Sequence, residues 1–328
     1  MAFTPPSAAL YPPISPATTG YLDVGQGHRI YFEQFGALHG IPAVFLHGGP
    51  GSGCNAQHRQ IFNPKLYRAL LFDQRACGRS QAQEPLTHNT TQDLVRDIEA
   101  LRLHLGIERW LVVGGSWGAG LALAYASQHP AQCLGLLLRG VFLGREQDLH
   151  WFFQDMCQLL PDAWAELVSI FPSHAHQHLL KNLHEGLNSN EPERALACAL
   201  AWQAWERSVM ARVRVVAEKT ALHSPAAIEL INKYQLQSHY LVNVCFLANT
   251  PLLEAARTLP SSLPVGLVHG RLDWVCRPSS AWELHTNMSH SQLIWLDSCG
   301  HLLFEPAMAQ TIVGLLDQFA QHQNFESP

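Results

Sequence analysis

A serine with a glycine two residues to either side, Gly114-Gly115-Ser116-Trp117-Gly118, stands between two runs of opposite character. The apolar run Trp110-Leu111-Val112-Val113 precedes it, and Leu121-Ala122-Leu123-Ala124-Tyr125 follows. A strand that turns so abruptly into a helix lifts the serine hydroxyl clear of the sheet, the geometry of a nucleophile elbow. The flanking residues must be small because the turn is strained and the helix packs close to it; Gly114, Gly118 and Gly120 meet that need. Two further motifs fall in order around the elbow. His47-Gly48-Gly49-Pro50-Gly51 lies upstream, and Gly270-Arg271-Leu272-Asp273 with Gly300-His301 lies downstream.

The flanking pattern is that of an α/β chain. Tyr21 to Phe35 alternates around Gly25-Gln26-Gly27 and reads as a β-hairpin. Ala43–Leu46, Leu70–Phe72, Leu134–Leu138, Val265–His269 and Leu293–Leu296 are short apolar runs of the kind buried parallel strands show. Thr90 to Leu105 places Leu94, Ile98, Leu101 and Leu105 on one helical face, with Thr90 or Asn89 as its cap. Further helices are expected near Ser279 to His285 and after Pro306. Strands alternating with helices predict a mostly parallel sheet wound by right-handed crossovers, with helices on both faces. Between them, residues 143–247 are rich in Trp, Leu, Ala, His and Gln and carry helical periodicity without a strand. The organisation expected is a core of residues 1–142 and 248–328 interrupted by a helical cap of residues 143–247.

Composition narrows the partners. With 47% apolar and 14% charged residues the chain can bury a large core, and its net charge of −5 gives no reason to expect nucleic acid or an anionic membrane. The Pro- and Ala-rich start, Met1 to Gly20, lacks the basic head and apolar block of a signal peptide, and no stretch approaches a membrane span. The eight cysteines are scattered without C-x-x-C spacing, as in a reduced, cytosolic enzyme. His174, His176 and His178 form the best metal-like cluster, but in a polar stretch that reads as a solvated loop or helix start. No metal and no cofactor is expected.

A serine hydroxyl becomes a nucleophile when an imidazole takes its proton and a third group orients that imidazole. On an elbow of this kind the chain order is serine, acid, histidine. That order assigns Ser116 as nucleophile, Asp273 as orienting acid and His301 as base, with Gly300 letting the chain turn so that the ring reaches Ser116. Asp297 is a rival acid, but four residues before the histidine it reads as a turn residue. The oxyanion of an acyl-transfer intermediate needs preorganised backbone donors. The amide of Trp117 is one, and Gly49, in the dense glycine run after Leu46, is best placed to be the second. That run lacks the G-x-x-x-x-G-K-[ST] of a phosphate loop.

Taken with Asp73-Gln74-Arg75-Ala76-Cys77-Gly78-Arg79-Ser80, these motifs resemble the proline iminopeptidases of the α/β-hydrolase fold. The likeness continues through Leu138 to Phe142, Trp202-Gln203-Ala204-Trp205-Glu206, His239-Tyr240 and His269 to Asp273, and so covers nearly the whole chain after about residue 20. It implies a cytoplasmic, cofactor-free serine peptidase that removes N-terminal proline from short peptides, as a monomer or small homo-oligomer. By position it implies that Glu206 binds the substrate amine, that Phe142, Phe152 and Cys276 line the proline pocket, and that Arg139 lies close by. The chain departs from the family at Gln237, where a second amine-binding glutamate is usual, and at Ala76, where glycine is commoner. An amide oxygen accepts a hydrogen bond but supplies no countercharge, a difference of about 1–3 kcal/mol in a semi-enclosed site. An esterase or small-amide hydrolase on the same scaffold is therefore the alternative. A catalytically silent binding scaffold is a third reading, against which the intact triad argues.

Overall fold

The continuous apolar runs along the central strands call for a sheet covered on both sides, and the structure, a computed structural model describing residues 10–325, builds one. In chain order the strands and α-helices are β1 (Thr18–Gly25), β2 (His28–Gly36), β3 (Ile41–Leu46), β4 (Tyr67–Phe72), β5 (Gln81–Ala82), α1 (Thr91–His104), β6 (Trp110–Gly115), α2 (Trp117–Gln128) and β7 (Cys133–Arg139). There follow α3 (Glu146–Phe153), α4 (Pro161–Val168), α5 (Leu179–Leu187), α6 (Pro192–Ala211), α7 (Pro225–Val242) and α8 (Leu252–Arg257). The chain closes with β8 (Val265–Gly270), α9 (Pro278–Asn287), β9 (Ser291–Leu296) and α10 (Pro306–His322). The sheet order is β1-β2-β4-β3-β6-β7-β8-β9, with β5 on β2. The β1–β2, β2–β4 and β2–β5 pairs are antiparallel; the others are parallel.

Successive residues of each strand point to opposite faces, and the two hydrophobic clusters divide accordingly. Val44, Leu70, Val112, Leu136 and Leu267 join one cluster with residues of α1, α2 and α9. Ala43, Leu71, Leu111, Leu137 and Val268 join the other, with Ile312, Leu316 and Phe319 of α10. The hairpin expected around Gly25-Gln26-Gly27 is β1–β2, with all three turn residues at positive φ. Of the two candidate caps for α1, Thr90 is the one used, its side chain accepting from the Asp93 amide. Asn89 instead turns inward, where its Oδ1 accepts from Tyr240 Oη at 2.7 Å. Residues 1–9 of the Pro-rich start lie outside the described residues.

Parallel strands point their carboxyl ends the same way, and in such sheets ligands bind beyond that edge. The carboxyl ends of β3, β6, β7, β8 and β9 all open there. Between β7 and β8 the described chain is helical, from α3 to α8. Aromatic residues tie this segment together and down onto the sheet edge. Trp202 stacks against Tyr234 at 5.2 Å, and Trp205 Nε1 donates to the Phe152 carbonyl at 3.1 Å. Trp117 of α2 meets Tyr240 of α7 edge-on at 5.2 Å.

The tightest contact in the core lies where α2 crosses the end of β3. A Cβ on Gly118 would lie 2.0 Å from the Leu46 carbonyl oxygen, and one on Gly114 would lie 2.2 Å from that of Gly118. Both neighbours are backbone and cannot swing aside. Gly118→Ala is therefore expected to cost about 3 kcal/mol and to lower the urea midpoint followed by circular dichroism; an unchanged midpoint would show that helix and strand can separate freely.

Candidate active site

Ser116 sits at the junction of β6 and α2 with φ 58° and ψ −125°, outside the regions that side-chain-bearing residues ordinarily occupy. Its amide donates to the Arg139 carbonyl at 2.9 Å and its carbonyl accepts from Ala119 N at 2.9 Å, so both strand and helix hold the turn. The hydroxyl faces a cavity of about 300 Å3 at the carboxyl edge of the sheet. Gly49, Arg139, Phe142, Phe152, Glu206, Gln237, Cys276 and His301 line the same cavity. Trp117 and Asp273, both fully buried, stand behind its wall.

Asp273 follows β8 and His301 follows β9, and the structure joins them: His301 Nδ1 lies 2.8 Å from Asp273 Oδ2. The other carboxylate oxygen accepts from the amides of Val275 at 3.0 Å and Cys276 at 2.9 Å. Burial alone would raise the Asp273 pKa, but the opposing charge and hydrogen bond of His301, then His269 and the Cys276 amide, hold the carboxyl below its ordinary value. His269 contacts the same carboxylate at 3.6 Å; burial lowers its own pKa, and its Nδ1 accepts from Val141 N, so it packs there as a neutral ring. The rival Asp297 lies at the surface, paired with Arg271 at 3.3 Å.

The loop that carries His301 is held in a way the motif did not reveal. The Glu305 carboxylate accepts from Gly300 N at 2.9 and 3.1 Å and from Leu302 N at 3.2 Å, bracketing the histidine. Arg139 donates to the His301 carbonyl from its half-buried place over Gly115, which makes it a support for the histidine loop as well as a wall of the cavity. Glycine at 300 answers to crowding rather than to a left-handed turn. A Cβ there would lie 2.5 Å from Arg212 Nη1 and 3.0 Å from Glu305 Oε1, whereas its φ is ordinary. The sequence signal for Glu305 is its place directly before Pro306, at the cap of α10.

The glycine-rich loop after β3 is anchored from below by the Asp73-Gln74 segment. The Gln74 side chain donates to the His47 carbonyl at 2.8 Å and accepts from Trp117 Nε1 at 3.0 Å, tying that loop to the elbow. Asp73 receives Cys54 N at 2.7 Å and Arg79 Nε at 2.8 Å. Ala76 adopts φ 57°, which explains why glycine suits that position. Gly48 lies so close to the elbow that a Cβ on it would come 3.2 Å from that of Ser116. The Trp117 amide, in the first turn of α2, belongs to the donors a helix start leaves without intrahelical partners.

The far end of the cavity is polar and compensated. Glu206 Oε2 accepts from Tyr234 Oη at 2.5 Å and from Lys233 Nζ at 3.2 Å. Burial pushes its pKa up, but Lys233 and Tyr234 together outweigh burial and hold the carboxyl below its ordinary value. Gln237 is 6% exposed, and its Oε1 has no hydrogen-bond partner among the described residues. Lys233 escaped the sequence reading, although 233, 237 and 241 recur at helical spacing on α7 and all three line the cavity. So did Asp148, buried in the wall between Arg145, Arg277 and Ser280.

The Ser116 hydroxyl lies 3.8 Å from Cys276 Sγ, and no hydrogen bond joins it to His301 among the described residues. Burial pushes the Cys276 thiol well above its ordinary pKa, which keeps it protonated. Asp273, Cys276 and His301 are the one group of potential metal donors that comes together among the described residues. A protonated thiol and a carboxylate already receiving three hydrogens make it a hydrogen-bonding set, and nothing in it calls for an ion. The histidines at 174, 176 and 178 lie instead in the 3-10 turn Ser173–His178, with 174 and 178 exposed and His176 packed edge-on against Trp164.

A family model described as alpha/beta hydrolase fold matches residues 42–307, and a sheet with an elbow serine at its carboxyl edge makes the protein an α/β hydrolase. A proline iminopeptidase from Xylella fastidiosa is 42% identical over 312 residues, 94% of this chain and 99% of that one. Another, from Arabidopsis thaliana, is 39% identical over 93% of this chain and 80% of its own length. On this identity the chain is an enzyme of the proline iminopeptidase family. The crystal structure of a proline iminopeptidase from Mycobacterium smegmatis shares the fold, with a TM-score of 0.59 at 17% identity over 93% of this chain and 98% of that one. No helix among the described residues is long and apolar enough to cross a membrane.

Burial around the cavity also sets a pH dependence. His58, stacked between Phe45 and Phe304, has its pKa lowered to about 4 by burial and then by the charges of His47 and Arg139. In the unfolded chain it titrates near 6.5, so between pH 6.5 and 4 the unfolded state takes up a proton that the folded state refuses. Stability must fall as pH drops through that window. The urea midpoint is expected to be lower at pH 5 than at pH 7, with a smaller difference in His58→Gln; equal midpoints in the wild type would contradict it.

Proposed function

We propose that this enzyme releases N-terminal proline from short peptides through a serine acyl-enzyme. The observation that carries the reading is the buried Asp273–His301 pair opening onto the same cavity as the strained elbow serine. Relatives 39–42% identical over most of the chain bear the name proline iminopeptidase, which supports the substrate class. In this reading Ser116 Oγ attacks the carbonyl carbon of the first residue, and His301 Nε2 takes the hydroxyl proton. The hydroxyl turns from Cys276 toward His301 to do so, a rotation about one side-chain bond, and catalytic hydrogen bonds often tighten only with substrate present.

Asp273, bonded to the other ring nitrogen, fixes the tautomer and stabilises the imidazolium. The amides of Trp117 and Gly49 hold the oxyanion. His301 then gives its proton to the departing amine, and a water molecule resolves the acyl-enzyme by the reverse sequence. Phe142 and Phe152 flank the pyrrolidine ring, while Glu206 and the open Oε1 of Gln237 receive the cationic imine. The helices of residues 143–247 act as a cap over the strand ends, enclosing the scissile bond. The same geometry serves a neutral ester or amide, and one observation favours that second reading: Lys233 already pairs with Glu206, and Gln237 carries no charge.

The deciding measurement is kcat/KM for proline arylamide against N-acetyl-proline arylamide, with Ser116→Ala as the blank. A preference of at least tenfold for the free imine is expected; equal rates, or preference for the acetylated compound, would place the enzyme among esterases and amidases. Gln237→Glu should raise kcat/KM for proline arylamide by about tenfold, mainly through KM, since a charge-assisted hydrogen bond is about twice as strong as a neutral one. A fall would show that position 237 does not face the substrate amine.

A further inference from the structure

Resting on the reading of the cavity's polar end as an amine site, we propose that Lys233 is a specificity-determining residue that acts as an internal competitor for the substrate's cation. Its ammonium stands where a bound imine would stand, 3.2 Å from Glu206 Oε2 and 4.6 Å from the centre of the Tyr234 ring. Glu206 is the carboxylate at this end of the cavity, so one chain-borne cation matches its charge before any substrate arrives. Asp148 offers no further charge, because Arg145 and Arg277 hold it. Gln237 contributes only a neutral acceptor, and its Oε1 is left open.

The ion pair is placed to be displaced. The Lys233 side chain is 29% exposed, so its ammonium can regain water when it leaves Glu206. It also has somewhere to go. Lys233 and Ser52 line both the catalytic cavity and a neighbouring cavity of about 790 Å3 between α7 and the loop from Ala76 to Leu86. The backbone of Lys233 is fixed against the glycine loop, where a Cβ on Gly51 would lie 2.9 Å from its carbonyl oxygen. Only the side chain can move. A cationic substrate therefore exchanges one ammonium for another at Glu206, whereas a neutral substrate of the same shape leaves the pair intact. The chain discriminates less between free and blocked amines than the carboxylate alone would allow.

The test uses ligands rather than turnover. Pyrrolidine, a cation at neutral pH, and cyclopentanol, a neutral ring of similar size, are titrated as protectors of Ser116 against a fluorophosphonate probe. In Lys233→Met, pyrrolidinium protection should tighten about tenfold while cyclopentanol protection shifts less than twofold. Lys233→Arg, which keeps the charge, should stay within threefold of the wild type for both. A loosened cavity would move both ligands together, and that result, like unchanged or weaker pyrrolidinium protection in Lys233→Met, would overturn the inference. If pyrrolidinium tightens but the wild type fails to cleave proline arylamide, Lys233 keeps its role and the proposed substrate falls. If the wild type cleaves it and Lys233→Met does not tighten, the substrate stands and the competitor falls.

Discussion

The turn from β6 into α2 works only because nothing protrudes from it. Ser116 is held at positive φ, a conformation that costs about 1–3 kcal/mol and persists where surrounding structure over-determines it. Here the over-determination is visible in two backbone hydrogen bonds and in backbone atoms that fill the space a side chain would need at 114 and 118. The close approach of α2 to Leu46 also aims the first turn of the helix at the glycine-rich loop. One steric constraint thus sets the position of the proposed nucleophile and of both proposed oxyanion donors. The Gln74 side chain, bonded to Trp117 on one side and to His47 on the other, keeps that loop and the elbow in register.

Local patterns made much of this legible. The strand runs, the hairpin, the α1 helix and the elbow are all written in windows of a few residues, where sequence spacing and spatial spacing coincide; the choice of Thr90 over Asn89 as cap is not. Asp297, four residues before the histidine, reads as a turn residue and lies at the surface with Arg271, while Asp273 is the carboxylate bonded to His301. What failed to show was long-range and polar. Glu305 acts on the backbone around His301, Arg139 on its carbonyl, and Asp148 joins α3 to α9. No periodicity encodes a side chain whose partner is a peptide group on another element. Gly300 shows the same limit: the residue was singled out, but its reason is the crowding of Arg212 and Glu305 rather than its own backbone.

Three carboxylates near the cavity show how burial distributes charge. Each sits against a partner that opposes the cost of leaving water, and the partner fixes what the group can do. Asp273 is engaged by His301 and two amides and faces away from the cavity, which suits it to orient a ring. Asp148 is held by two arginines and joins the segment after β7 to α9. Glu206 lines the cavity with a single cationic partner, a flexible lysine with exposed length. An exchangeable charge suits this third site, where one lysine is the only cation paired with the carboxylate among the described residues, whereas Asp148 is shared by two arginines.

The histidine is secured differently from the serine. Steric exclusion fixes Ser116, whereas His301 is fixed through the peptide groups around it, by Glu305 on the flanking amides and Arg139 on the carbonyl. The ring itself is buried beside Gly140 and makes one side-chain bond, to Asp273. That division suits a base that must accept a proton from one atom and deliver it to another a few ångströms away. Immobilising the ring by further side-chain bonds would occupy Nε2, the nitrogen the proposed chemistry needs. Holding the loop through its peptide groups instead leaves Nε2 without a side-chain bond, so one arrangement both places the histidine and keeps its reacting nitrogen available.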